Sequence, residues 1–520
     1  MIFEEIDRLF AKRCSQEDSL ALCYLFAAAR RGHHCVSIKG NTLEPLLPEA
    51  LVLDKVAIIE SFLQLPEGAV QEDLLPLNLK PVVHSGGHYY LQKYFLLENG
   101  IQKELKRVAK ASKKLFFSEE AIIQAIKPYE PFLNADQKAA IFQCLFHNIS
   151  LLTGGPGTGK TYTVRYLLQV YQDLCRQVER KASVLITAPT GKAAVSFQQK
   201  LQGLQVEIST LHRALKITKR KEFSRGQTLF QDLILVDESS MVDLSIWTQL
   251  LAAIESGSRA IFMGDPDQLP PVETGMIFQE LFRAVPSISL KKCMRVESNN
   301  LLALAVSVKK GAVDKTYDLL KAGHKEIVFY EFEREETLLE LPPWKLGTYF
   351  KKEFQKNVLL TPCLEGPWGV NTLNEQIEAF YRQEAIGHLV KKIPIMITQT
   401  DYRQELYNGD VGVLIEDGIS NRAYFSSKEG QFLEEAVLPP YQKAYALSVH
   451  KSQGSEYEEV FLFLPEGSQF FGREILYTAI TRAKHSLTIF AKKNIVEECL
   501  KISGKKHSAL SERLSSFFLE

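Results

Sequence analysis

Residues 151–162 read Leu-Leu-Thr-Gly-Gly-Pro-Gly-Thr-Gly-Lys-Thr-Tyr, and no other stretch restricts the fold so tightly. The spacing is G-x-x-x-x-G-K-[ST], with Gly154, Gly159, Lys160 and Thr161 at the fixed places. Apolar Ile149, Leu151 and Leu152 predict a buried strand leading in, and 162–171 predicts a helix leading out. Between strand and helix the chain must turn tightly around an anion. Glycine permits positive φ and close backbone approach, so successive N–H groups point inward at phosphate oxygens. The start of the helix adds the positive end of its dipole. Gly154, Gly155, Pro156, Gly157, Thr158, Gly159, Lys160 and Thr161 are therefore the candidate ATP cradle. Lys160 is expected to reach the β- and γ-phosphates, and Thr161 to place its hydroxyl on Mg²⁺. An ordinary glycine-rich turn needs no Lys-Thr pair. By itself the loop says that a nucleoside triphosphate binds and nothing about why.

A chain of 520 residues has room for about three to four domains, each with its own core. Its 62 basic and 62 acidic side chains cancel, so a polyanion partner must be met by a local groove, not a global field. The eight cysteines are scattered without a C-x-x-C pair, which argues against zinc and iron–sulfur sites and fits reduced thiols in a cytosol. Glu4, Glu5 and Asp7 make the N-terminus unlike a secretory signal, and the apolar run around 20–30 is about half a membrane span. A cytoplasmic protein with no membrane partner is the expectation.

Residues 1–117 carry no catalytic signature. Apolar spacing predicts helices at 2–12, 19–31 and 50–62, then a strand at 88–97 turning into a lysine-rich helix at 96–112. The cluster Lys103, Lys106, Arg107, Lys110, Lys113 and Lys114 fits a solvated helix face or linker better than a DNA contact. A mainly helical docking module is expected, ending near 117. Ser118 caps the next helix, and Gln137 follows at another helix start. A glutamine amide can bond both N6 and N7 of adenine, so Gln137 is a candidate adenine reader, although helix-start glutamines are common.

Strand 184–187 runs into Ala-Pro-Thr-Gly-Lys-Ala-Ala (188–194), which lacks the flanking glycine and hydroxyl of a second phosphate loop. Loops at the carboxyl ends of parallel strands are where α/β sheets put ligands. Pro189, Thr190 and Lys192 are thus candidates for a nucleic-acid phosphate, and Thr210, His212 and Arg213 repeat the arrangement; a lone histidine such as His212 is more often structural. The basic stretch 216–230 fits either an exposed functional hairpin or a solvated loop. Strand 233–236 ends on Asp237 and Glu238, adjacent carboxylates that would repel unless they shared a cation. Asp237 suits Mg²⁺ held through water, and Glu238 suits the attacking water. Strand 259–263 delivers Gly-Asp-Pro-Asp-Gln-Leu-Pro-Pro-Val (264–272), in which the Gln268 amide can bond a γ-phosphate and lose it on hydrolysis. Arg295 and Arg482 are two arginines available from across a cleft, the second at a cationic helix tip like an arginine finger.

A second α/β region begins near 296. Residues 394–440 form short β-rich pieces with turns at Asn408-Gly409, Asp417-Gly418 and Glu429-Gly430, an inserted small barrel. The chain returns to the α/β core at 444–456.

In sequence and order, Gln137, the phosphate loop, A-P-T-G-K-A-A, T-L-H-R, V-D-E-S-S-M, G-D-P-D-Q-L-P-P-V, V-H-K-S-Q-G-S-E and Y-T-A-I-T-R-A-K resemble the superfamily 1 helicases. P-W-G-V-N-T-L-N (367–374) and 401–413 are similar to the RecD branch, the 5′→3′ helicase subunits of RecBCD-type complexes (exodeoxyribonuclease V, alpha subunit). The likeness covers roughly 118–520 strongly and the first 117 residues more weakly. It implies an α/β fold of two RecA-like P-loop domains (118–295, then 296–393 with 441–520), an inserted SH3-like β-barrel at 394–440, and a partner-docking domain at 1–117. It further implies ATP and Mg²⁺ between the lobes, with Lys160, Thr161, Asp237, Glu238, Gln268, Arg295 and Arg482 forming the ATPase site. Pro189, Thr190, Thr210, His212, His450 and Ser452 would lie along single-stranded DNA, with duplex DNA ends as substrate and RecB-like and RecC-like subunits as partners. A stand-alone helicase and a regulatory ATPase subunit are the alternatives. Nuclease chemistry is expected in a partner: Glu104-Leu-Lys106 imitates an E-x-K motif, but no aspartate occurs from 74 to 135.

Overall fold

The computed structural model describes residues 3–15, 19–47, 50, 53–65, 70–72, 80–217, 227–292, 299–331, 356–384, 391–401, 403–418, 420–425, 428 and 431–518. Arg295, Glu429-Gly430 and most of the basic stretch 216–230 lie outside the described residues.

Six strands form the first lobe: β6 (Ile149–Thr153), β7 (Val184–Ala188), β8 (Glu207–Thr210), β9 (Leu233–Val236), β10 (Arg259–Gly264) and β11 (Ser287–Ser289). They pair in the order β11-β6-β10-β9-β7-β8, every pair parallel. Side chains alternate across a strand, so a sheet covered on both faces needs continuous apolar runs. The sequence supplies them. Leu233 and Leu235 enter one core while Ile234 and Val236 enter the other, and Ile261 and Met263 likewise oppose Ala260 and Phe262. With every strand pointing the same way, the loops after β6, β7, β9 and β10 all open at one edge.

The second lobe repeats the plan with β12 (Ile327–Glu331), β13 (Asn357–Thr361), β19 (Ala446–Ser448), β20 (Tyr457–Leu464) and β21 (Ala483–Ala491). Its order is β12-β21-β20-β13-β19, again all parallel. Between β13 and β19 the chain leaves for an antiparallel unit of β14 (Lys391–Ile397), β15 (Val411–Glu416), β16 (Asn421–Phe425), β17 (Phe432–Glu434) and β18 (Tyr441–Lys443), ordered β17-β16-β15-β14-β18. This unit has its own small core of Ile395, Ile397, Leu406, Leu414, Ala423 and Phe425.

The N-terminal part departs from the mainly helical expectation. Helices Glu5–Ser15, Leu20–Arg30 and Lys55–Leu63 accompany a five-stranded sheet, β2-β1-β5-β4-β3, built from β1 (Cys35–Lys39), β2 (Thr42–Glu44), β3 (Val70–Glu72), β4 (Val82–Ser85) and β5 (His88–Leu91). These strands hold only 3 to 5 residues each, too few for an alternating pattern to stand out. Helix Gln92–Lys110, the lysine-rich one, is no linker: Lys103 and Lys110 are exposed on a solvated side, while its other side packs on the first lobe. It buries Ile101, Leu105 and Val108 in the first lobe's core. Arg107 donates to the carbonyls of Leu251 (3.0 Å) and Ile254 (2.7 Å). Asn148 in turn donates to the carbonyls of Val108, Ala109 and Ala111, tying off the helix end.

A second departure concerns the C-terminus. Residues beyond 504 leave the second lobe, and helix Leu510–Phe518 sinks Leu510 and Leu514 into the first lobe's core. The apolar i, i+4 pair on that helix is what carries it there. No helix among the described residues is long and apolar enough to cross a membrane.

Candidate active site

Gly159 closes the phosphate loop in the left-handed region (φ 85°) and is followed at once by helix Lys160–Gln177. A side chain there would be strained, so glycine is required to bring the loop's N–H groups round to the helix start. Thr163 locks the first turn by donating to the Gly159 carbonyl at 2.9 Å. Lys160 folds back over the loop, its Nζ donating to the carbonyls of Gly154 (2.5 Å) and Gly155 (3.3 Å).

The loop forms one wall of a cavity of about 750 Å³ between the two lobes. Asp237, Glu238 and Gln268 line it from the first lobe, and Ser455, Tyr457 and Arg482 from the second. Glu238 sits at φ 48°, a strained left-handed backbone for a non-glycine residue. Strain of that kind is kept only where the surroundings enforce it, and here it swings the side chain toward the cavity at the end of β9. Burial and the neighbouring Glu238 lift the Asp237 carboxyl from 3.8 to about 7, while Lys160 pulls the other way. Such a pair is held against its own repulsion unless a cation sits beside it.

Gln268 is 3% exposed; its amide lies 3.4 Å from Asp265, and its Oε1 has no hydrogen-bond partner. Arg482 stands opposite, 3% exposed. Its guanidinium donates to the carbonyls of Thr478 (3.2 Å) and Ser455 (3.1 Å) and to Thr481 Oγ1 (3.2 Å). Burial lowers its pKa, and the charges of Glu238 and Asp265 across the cleft oppose that shift.

Residues the sequence reading passed over complete the seam. Tyr477 donates across the lobes to Asp265 at 2.9 Å, and Leu269 N–H donates to Thr478 Oγ1 at 2.9 Å. Gln453 Nε2 reaches the Leu269 carbonyl at 3.1 Å. Asp265, Ser455 and Tyr477 all lie inside motifs quoted above, so the signal was present but attached to neighbouring positions. Lys192, read as a nucleic-acid contact, instead lines this cavity and donates to Ser455 Oγ at 2.7 Å. It is the second residue of helix Gly191–Lys200, which runs along the cavity wall.

Gln137 does not line the cavity. Its Oε1 accepts from Asn134 N–H (3.0 Å) in a capping box, while the buried Nε2 has no partner. Thr190 and Thr210 cap helices Gly191–Lys200 and Leu211–Ala214, accepting from Ala193 and Arg213 N–H at 3.3 Å each. Register brings them together, since Ala188 pairs with Thr210. Pro189 is half-buried beside Thr190, and His212 is exposed. On the second lobe, burial and then Lys506 press His450 down to about 4, so its ring is neutral near pH 7. Ser452 is fully buried and donates to the Val449 carbonyl at 2.7 Å; in this conformation it holds a turn and offers nothing to a strand outside.

Two parallel-sheet lobes that share one triphosphate cavity, with an arginine from the second facing the phosphate loop of the first, define a two-lobed motor ATPase of the helicase type. Comparison with known proteins agrees: an AAA domain matches residues 137–274, and a UvrD-like helicase C-terminal domain matches 443–490. The chain is 30% identical over 430 residues to RecBCD enzyme subunit RecD of Mycobacterium tuberculosis, covering 73% of each protein. The Mycolicibacterium smegmatis subunit is 28% identical over 536 residues, covering 95% of this chain and 93% of that one. ATP-dependent RecD2 DNA helicase of Deinococcus radiodurans is 30% identical over 364 residues, but only 48% of its length is spanned. The chain belongs to the RecD family.

One prediction follows from the carboxylate pair. Because the folded pKa of Asp237 is raised, its stabilising contribution is full below 3.8 and is lost as pH rises through about 7. Nucleotide-free Asp237→Asn is therefore expected to melt a few degrees above the natural chain near pH 8, with the gap narrowing as pH falls toward 5. Differential scanning fluorimetry across that range checks it, and a gap that ignores pH contradicts it.

Proposed function

We propose that the chain is an ATP-driven 5′→3′ DNA translocase and helicase, working with RecB-like and RecC-like subunits at duplex DNA ends. The observation that carries this reading is Arg482: a second-lobe guanidinium buried in the same cavity as Lys160, Asp237 and Glu238. A site split between lobes couples hydrolysis to their relative position.

Lys160 leaves the loop carbonyls for the β- and γ-phosphate oxygens, and loop N–H groups hold the rest. Asp237 and Thr161 suit a magnesium ion, since a hydroxyl and two adjacent carboxylates, hard oxygen donors, line the same cavity. Mg²⁺ there would supply neutralisation of the triphosphate's charge. Glu238 orients the attacking water and takes its proton. Gln268 reads whether the γ-phosphate is present by turning its Nε2–H from Asp265 to a phosphate oxygen, which leaves its unpartnered Oε1 to accept from the attacking water. Arg482 steadies the phosphoryl oxygens as charge builds on them.

For the strand, Pro189, Thr190, Thr210 and His212 share the open edge of the first lobe, and His450 leads the turn on the second. The unit from β14 to β18 is read as an SH3-like barrel. Its Tyr407 packs so closely on Gly191 that a Cβ there would lie 2.2 Å from the ring. That contact supports a barrel seated over the strand path, where each stacked base would add about 1–3 kcal/mol.

Strand displacement is the test. With ATP the chain, alone or with its partner subunits, should unwind a duplex carrying a 5′ single-stranded tail and leave a 3′-tailed duplex intact. Equal unwinding of both, or ATP-independent displacement, overturns the assignment of polarity and coupling.

A further inference from the structure

Away from the ATPase cavity, a group of metal-ligating side chains meets where the N-terminal sheet touches the C-terminal tail. One ligand atom each from Cys35, His88 and His507 lies within 4.8 Å of the other two. Strand pairing explains two of them: Ser37 is opposite His88 and Cys35 opposite Tyr90 on β1 and β5. Side chains two apart on a strand share a face, so Cys35, Ser37 and His88 converge. The third is pinned by backbone: His34 N–H donates to the His507 carbonyl at 2.9 Å, and His507 N–H donates to His33 Nδ1 at 2.8 Å. Ser37 Oγ stands 2.5 Å from both His88 Nδ1 and His507 Nε2, so both imidazoles turn a nitrogen to the same point.

We propose that Cys35, His88 and His507 bind one zinc ion that staples the C-terminal tail to the N-terminal domain. A thiolate with two imidazoles is a borderline-soft donor set that suits Zn²⁺ and disfavours Mg²⁺ or Ca²⁺. Zn–S and Zn–N distances of about 2.3 and 2.0 Å need the ligand atoms to close in by about 1 Å, within the reach of side-chain rotation. The fourth position falls to water or the Ser37 hydroxyl.

Second contacts fit a ligating histidine. His88 Nε2 lies 3.4 Å from Glu512 Oε2, and Glu512 is itself held by Lys39 at 3.1 Å. A carboxylate on the far nitrogen fixes the tautomer in which Nδ1 is the acceptor, a lone pair that Ser37 Oγ meets at 2.5 Å and that a metal would take in its place. Cys35 is 1% exposed and His88 6%, so the site is shielded. Zinc binding would expel the thiol proton to solvent and leave the thiolate on the metal. None of this shows as a spacing motif, because the ligands come from β1, β5 and the tail. The tail then continues into helix Leu510–Phe518 in the first lobe's core, so the staple fastens the N-terminal domain to the motor.

The test is metal content. Untagged full-length chain, purified without chelator, should carry about one zinc per chain by mass spectrometry. Cys35→Ala and the milder His507→Ala should each drop it below about a tenth, while His485→Ala, at an exposed ring elsewhere, should keep it. Cobalt(II) added to chelator-stripped natural chain should give a thiolate charge-transfer band that Cys35→Ala lacks. Chelation should lower the melting temperature of the natural chain and not of Cys35→Ala. A natural chain with neither zinc nor a cobalt band, or zinc that survives in Cys35→Ala and His507→Ala, overturns the proposal.

Discussion

Lys160→Ala loses ATP hydrolysis, with turnover falling by at least about 10²–10³, the usual cost of one preorganised charge stabiliser at a reacting centre. The fold survives, because Lys160 lines an open cavity, where it donates to the loop carbonyls of Gly154 and Gly155 and offsets the Asp237 charge. No apolar contact in either core depends on it. Turnover measured beside the melting temperature separates the two effects: activity should vanish while melting falls by a few degrees at most, the loss of a cation beside Asp237. A variant that hydrolyses ATP at the natural rate would move the site elsewhere.

Arg482→Ala should be as severe, about 10³–10⁵ in turnover, on the precedent of arginine fingers at phosphoryl transfer. Here the protein itself is also loosened. Three acceptors, the carbonyls of Thr478 and Ser455 and the Thr481 hydroxyl, lose their donor inside a buried seam. Melting therefore falls as well, and turnover alone would not isolate the chemistry. Arg482→Lys keeps the charge but not the planar fork, so it should recover part of the melting temperature and little of the turnover. Binding of a fluorescent nucleotide should change far less than turnover in both variants. If turnover tracked melting and no more, Arg482 would be a structural strut.

Much of the architecture was legible because parallel sheets write themselves plainly. Leu233–Val236 and Arg259–Gly264 are apolar runs bounded by polar loops, and each loop is where a motif sits. Lys160, Asp237, Glu238, Gln268 and Arg482 could be named from local pattern, and the structure brings these five to one cavity. What local pattern cannot carry is a partnership between distant segments. The Tyr477–Asp265 bond and the Lys192–Ser455 bond exist only once the lobes face each other. The N-terminal sheet was missed because its strands are short, and the tail's departure because Leu510 and Leu514 look the same on any host core. Gln137 shows the opposite hazard: a residue type suited to adenine is spending its carbonyl on a helix cap.

The central claim is that a triphosphate held between paired lobes moves the protein along one strand. Stopped-flow fluorescence on single-stranded oligonucleotides of increasing length, dye-labelled at the 3′ end, tests it most directly. The account predicts an ATP-dependent lag that lengthens in proportion to the oligonucleotide and disappears in Lys160→Ala. A signal whose timing is indifferent to length, under conditions where ATP is being hydrolysed, would contradict it.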